Sequence, residues 1–191
     1  MKQTLRFTLL GLLLIGSISA CKKKSTSTPP STSSNNVVVD IPYTKSVTLP
    51  EVPALPLSLP FEHTDTFATL VDEFISPYGF TKADILSVTP VSMNVTIDNS
   101  SPQTFNFVDD SAKVYVDAYN GTNPTLVAYV KNIPLNAKSI DFTVVNTDFK
   151  DYFNSEYMQV TLKCNTRANE GMANNSTFIT NFKFRITAKK K

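Results

Sequence analysis

Val91-Ser92-Met93-Asn94-Val95-Thr96-Ile97-Asp98 places an apolar side chain at every second position, with Ser92, Asn94, Thr96 and Asp98 between. Successive side chains of a strand point to opposite faces, so the octet reads as a strand with one face on a core and one in water. A run of turn formers, Asn99-Ser100-Ser101-Pro102, follows it. The same period returns along the chain. Phe105 and Phe107 mark a second strand, and Val114, Val116 and Ala118 a third that Asn120-Gly121 ends. Leu126, Ala128 and Val130 alternate with Val127, Tyr129 and Lys131, and Ile140, Phe142 and Val144 follow Pro134. Met158, Val160, Leu162 and Cys164 alternate with Gln159, Thr161 and Lys163; Phe182, Phe184 and Ile186 alternate with Lys183, Arg185 and Thr187. Seven or eight short strands separated by turn signals predict a mainly β fold, an antiparallel β-sandwich.

Helical spacing interrupts this pattern twice. Phe67, Leu70, Val71 and Phe74 fall at i, i+3, i+4 and i+7, with Thr66 placed as N-cap and Pro77 and Gly79 beyond, which predicts one short helix near 66–76. Phe149, Tyr152 and Phe153 after Thr147 predict a single turn plugging an end of the sandwich. Seven of the twelve prolines lie between Pro29 and Pro60. Proline is tolerated at sheet edges and poorly in central strands, so short edge strands and extended crossings are expected from Val37 to Pro60. The domain so defined, 37–188, is long enough to bury about two-thirds of its unfolded surface without disulfides.

Residues 1 to 21 read MKQTLRFTLLGLLLIGSISAC: Lys2 and Arg6, an apolar run from Phe7 to Ile18, then small residues before Cys21. That is the order of an export signal. The apolar run is about a dozen residues where a membrane span needs about 20. Ile18-Ser19-Ala20-Cys21 resembles the lipobox of bacterial lipoproteins. The resemblance implies a signal peptide over 1–20, cleavage between Ala20 and Cys21, diacylglycerol on the Cys21 thiol, and a fatty acyl group such as palmitate on the new amine. The membrane is then a partner through covalent lipid, and two or three chains hold where one would leave. Residues 22–36, KKKSTSTPPSTSSNN, have no apolar side chain except two prolines, so a disordered tether is expected after the lipidated cysteine. It would reach about 50 Å at full stretch and about 20 Å root-mean-square. Lysines stand where surface-display signals place acidic residues, and no aspartate follows Cys21. The expected location is the cell envelope at the outer membrane, on its periplasmic face rather than the cell surface.

The phrases Thr104-Phe105-Asn106-Phe107 and Asp148-Phe149-Lys150-Asp151-Tyr152 are similar to those of small lipoproteins with a single immunoglobulin-like or late-embryogenesis-abundant-like sandwich. That likeness implies no site.

Without Lys2 and Arg6 the chain carries 16 basic and 16 acidic residues, and 189–191 form a basic tail. Between Lys24 and Lys189 there are 10 Lys/Arg against 16 Asp/Glu, so the body is acidic. A nucleic-acid reader needs a basic face, and nucleic acid is excluded as a partner on that ground.

Catalytic groups are few. His63, the single histidine, sits in Phe61-Glu62-His63-Thr64-Asp65-Thr66 among turn and cap residues, and no G-x-S-x-G elbow presents a serine. Zinc needs several Cys or His ligands, which the chain lacks. No catalytic residue, metal ligand set or cofactor is assigned. Cys164 lies on the apolar side of its strand and reads as a buried, unreactive thiol. Asp109-Asp110 and Asp148 with Asp151 are the carboxylate groupings a glycan-active enzyme would use, but each falls at a predicted strand end, where aspartate commonly caps or turns the chain.

One constellation points to binding. If Val114, Val116 and Ala118 face the core with Leu126, Ala128 and Val130, then Tyr115, Asp117, Tyr119 and Tyr129 share the opposite face of a hairpin. Tyrosines beside a carboxylate suit a sugar ring or an envelope protein. The plainer alternative packs these rings under a loop, under the helix, or in the core with the register reversed. Asp110-Ser111-Ala112 resembles the short motif at which some bacteria O-glycosylate exported proteins, which implies a glycan on Ser111. The expected function is a membrane-anchored, non-enzymatic binding or accessory module of the cell envelope. The alternatives are a glycan-active enzyme using Asp109, Asp110 or Asp148 and a structural subunit of an envelope assembly.

Overall fold

The computed structural model describes residues 36–98, 100–173 and 176–189. Ala20, Cys21, the tether through Asn35, Asn99 and the last two lysines lie outside the described residues. Eight strands form: β1 (Asn36–Leu49), β2 (Pro60–Ala68), β3 (Ile85–Ile97), β4 (Val108–Ala118), β5 (Thr125–Val130), β6 (Ser139–Val144), β7 (Tyr157–Thr166) and β8 (Ser176–Lys189). Every ladder between neighbours is antiparallel, in the order β1-β8-β3-β6-β5-β4-β7-β2.

That one sheet curls into a sandwich of two four-stranded halves. The ladder between β5 and β6 has only two pairs, Ala128 opposite Val144 and Tyr129 opposite Thr143, so the sheet bends there. The free edges β1 and β2 approach on the other side. Across that seam the Lys45 ammonium lies 3.0 Å from Asp65 and 4.1 Å above the Phe67 ring centroid, and it donates to the Thr66 carbonyl.

Period two in the sequence becomes burial. β8 buries Ser176, Phe178, Thr180, Phe182, Phe184, Ile186 and Ala188 and turns the intervening residues toward the surface. Full burial of a large apolar side chain contributes roughly 1.5–3 kcal/mol. α2 (Lys150–Phe153) is the turn expected after Thr147. Phe149 and Phe153 are both fully buried, and the Phe153 ring meets Phe184 at 4.9 Å. β3 holds this plug by both polar groups of one residue: Phe149 N–H donates to the Val88 carbonyl at 2.7 Å, and Asp148 Oδ1 accepts from Val88 N–H at 2.8 Å.

Three local expectations differ from the observed chain. Thr66 and Phe67 belong to β2, opposite Gln159 and Met158, so Thr66 caps no helix. Pairing with β7 runs on to Ala68, and α1 (Val71–Ile75) begins only after Leu70, which takes a left-handed φ of 49°. Phe105 and Phe107 form a 3-10 turn rather than a strand. Their rings stack at 6.4 Å and both lie against Phe178, and this packing of the core's end sets the local backbone. Finally, β1 is one 14-residue edge strand, not short pieces. Pro42 is tolerated on that edge, and Pro90, in a central strand, sits at the β3 bulge between Pro90 and Ser92.

Candidate functional site

In β4, Ala112, Val114 and Val116 are buried, which turns Lys113 and Tyr115 outward. β7 runs beside it without a break from Ala112 to Ala118, setting Lys113 opposite Lys163 and Tyr115 opposite Thr161. On the other flank Lys113 faces Tyr129 of β5, and beyond β7 Lys163 faces Glu62 of β2. A row Tyr129, Lys113, Lys163, Glu62 therefore crosses four strands, each about 4.8 Å from the next. The rings and ammoniums interlock. Lys163 Nζ lies 5.7 Å from the Tyr115 ring centroid and 3.0 Å from Glu62, and Lys131 Nζ stands 6.0 Å from the Tyr129 ring. Thr64 and Thr161 share a 2.8 Å hydrogen bond beside them. Tyr115 and Tyr129 are half-buried, and Lys113 and Lys131 are exposed.

Tyr119 and Tyr157 form a second aromatic pair at the other end of the same two strands, their rings 6.1 Å apart and 53% and 47% exposed. Asp117 is 8% exposed. Its Oδ1 accepts from Ala118 N–H at 2.7 Å and its Oδ2 from Asn123 N–H at 2.8 Å, so the carboxylate anchors the β4–β5 turn and is spent there. The structure thus groups Tyr115 with Tyr129, pairs Tyr119 with Tyr157, and puts Asp117 beneath the turn. Lys113, Lys131, Lys163 and Tyr157 were not singled out by sequence. Their parity with Tyr115, Tyr129 and Gln159 was a usable signal for the outward face, but the pairing of β4 with β7 is a long-range fact.

The other candidates lie elsewhere. His63 and Asp65 point inward beside the seam and line an apolar cavity of about 70 Å³ between the halves, with Val114, Val160, Phe107 and Phe182 among its walls. Cys164 is half-buried against the margin of the core, and burial pushes its thiol up to about 12. Ser111 is half-buried on β4, in a shallow groove of about 300 Å³ with Glu62, Lys113 and Lys163. Asp109 faces Arg167, whose Nε is 4.0 Å away and whose Nη2 donates to the Asp109 carbonyl. Asp148 Oδ1 also accepts from Lys150 N–H at 2.9 Å. The two carboxylate groupings sit toward opposite ends of β4: Tyr152 of α2 bonds Thr125 at 2.6 Å, and Thr125 lies opposite Val116. Seven residues of strand, about 24 Å, separate Asp109 from Val116 beside that bond. Among the described residues no group of three or more His, Cys, Asp or Glu is arranged to hold a metal ion, and no helix is long and apolar enough to cross a membrane.

No family model and no curated protein matches the chain. A solved structure from Desmodium yellow mottle tymovirus is 13% identical, covering 98% of this chain and 96% of that one, with a TM-score of 0.27. A likeness of that degree says nothing about fold or activity.

Proposed function

We propose that this chain is a non-enzymatic binding module of a bacterial cell envelope, held at the membrane by lipid on Cys21 and engaging its partner with the outer face of β5, β4, β7 and β2. One observation carries the reading: Tyr115 and Tyr129 stand half-exposed on one sheet face, each with a lysine ammonium about 6 Å from its ring. Aromatic faces with charged neighbours are enriched where proteins recognise partners. The enzymatic alternative finds less support, because Asp148 is engaged by two backbone N–H groups and Asp109 by Arg167. An assembly subunit growing through its sheet edges is also less supported, because Pro42 interrupts the donors of β1 and Lys45 occupies a β2 carbonyl.

The test has two arms. Intact mass of the chain extracted from membranes reads the anchor: a mass equal to the unmodified polypeptide from Cys21 overturns it. Binding of wild type, Tyr115→Ala and Tyr129→Ala to a glycan and peptide panel reads the face. Loss of a signal with unchanged circular dichroism and Tm is expected, and profiles identical to wild type overturn the reading.

A further inference from the structure

We propose that the ligand of this face is an acidic polysaccharide, lying along Tyr129, Lys113 and Lys163 with its sugar rings against Tyr115 and Tyr129. The proposal rests on the binding-module reading and names its ligand class.

Charge makes the first part of the case. The body between Lys24 and Lys189 holds 10 cations against 16 anions, yet three of those cations, Lys113, Lys131 and Lys163, gather on one face. Lys113 and Lys163 are directly opposite on neighbouring strands, where like charges repel. Glu62 relieves Lys163 at 3.0 Å, but among the described residues no carboxylate pairs with Lys113. Asp117 has the right parity to neutralise the face, and instead both its oxygens accept turn N–H groups. What remains outward is a cationic strip. The Glu62–Lys163 pair is a surface pair, with side chains 56% and 42% exposed, and such pairs contribute little, so a ligand anion displaces Glu62 at small cost.

The tyrosines select among anions. A bare phosphate or an acidic peptide satisfies lysines without needing rings, whereas a sugar offers a flat C–H face to an aromatic ring and hydroxyls to polar neighbours. Tyr115 and Tyr129 flank the lysine pair, and the Thr64 and Thr161 hydroxyls lie next to them. The shallow groove that Ser111, Lys113, Lys163 and Glu62 line continues the strip toward the start of β4. A uronate or sulfated chain meets all three features together.

The experiment uses the mature chain in neutral detergent and five soluble probes: polygalacturonate, chondroitin sulfate, dextran, poly-glutamate and polyphosphate. The two acidic polysaccharides should bind at low salt, raise Tm, and lose affinity steeply as ionic strength rises. Lys113→Gln with Lys163→Gln should weaken them at least tenfold, and Tyr115→Ala about tenfold, while Lys183→Gln on β8 leaves them unchanged. Poly-glutamate or polyphosphate binding as tightly as the polysaccharides overturns the proposal. So does equal binding of dextran, or a lysine double variant that binds like wild type. In those cases Tyr115-dependent binding to any probe keeps the module reading alive. Binding to none of the five overturns the acidic-polysaccharide assignment, and the wider panel then decides the module reading alone.

Discussion

Gly121 stands over the Asp117 carboxylate so closely that a Cβ there would lie 2.6 Å from Asp117 Cγ, closer still to its Oδ1, and 2.9 Å from the Ala118 carbonyl oxygen. The β4–β5 turn folds back onto the carboxylate that ties it, and only a residue without a side chain fits the gap. Gly121→Ala is expected to cost about 1–3 kcal/mol through overpacking. Asp117→Ala should cost a similar amount by leaving the N–H groups of Ala118 and Asn123 without their acceptor. Because both act on one turn, the double variant should lose less than the sum. Urea unfolding of the three variants checks this, and strict additivity would show the two residues to be independent.

The apolar cavity of about 70 Å³ is space the core leaves empty. At about 24 cal/mol per Å³, filling it has a ceiling of roughly 1.7 kcal/mol. Ala112, 4% exposed on its wall, is the residue to enlarge. Ala112→Val should raise the urea midpoint by an amount equivalent to about 0.5–1 kcal/mol; a lowered midpoint would mean that the surrounding rings cannot accept two more methyl groups.

Cys164 gives a chemical readout of packing. With its thiol pushed up to about 12 by burial, only about one molecule in ten thousand carries thiolate at pH 8. Native protein should resist a thiol reagent at that pH and react at once in strong denaturant. The chain has two cysteines, so the unfolded, membrane-extracted protein should release one equivalent if Cys21 carries lipid and two if it does not.

Asp40 and Arg185 face each other across β1 and β8, with two hydrogen bonds of 2.8 and 3.0 Å from the guanidinium. Those bonds, aided by the charges of Arg185 and Lys183 and opposed by partial burial, hold the Asp40 carboxyl below its ordinary value of 3.8. A carboxyl with a depressed folded pKa contributes stability above its unfolded pKa and loses it as pH falls through the folded value. Wild type should therefore exceed Asp40→Asn in urea midpoint at pH 6–7, and the gap should close as the pH drops below about 4. A gap independent of pH would assign the difference to something other than this ion pair.

Alternation alone carried most of the strands, because a half-buried sheet writes its period directly into Val114, Tyr115 and Val116 or Phe182, Lys183 and Phe184. It also gave the outward side of Tyr115 and Tyr129. What it could not supply was adjacency: Lys113 and Lys163 are fifty residues apart in sequence and directly opposite in space. Short windows were ambiguous where two periods coincide. Phe67 fits the first turn of a helix and equally the end of a strand, and the partner β7 decided between them. Phe105 and Phe107 fit a strand until ring packing against Phe178 imposed a tighter turn. Asp117 next to Asn120-Gly121 carried a hint of its turn role that only the geometry of both carboxylate oxygens makes plain.

The Lys45 stitch has a consequence for neighbours. A sheet that ends in open hydrogen-bonding groups invites a second copy to dock alongside, and the invitation grows when many copies share a plane. Here one border carries a proline, the other begins with one, and a lysine already satisfies a carbonyl where they meet. Crowded side by side, such molecules can jostle without zippering into fibres.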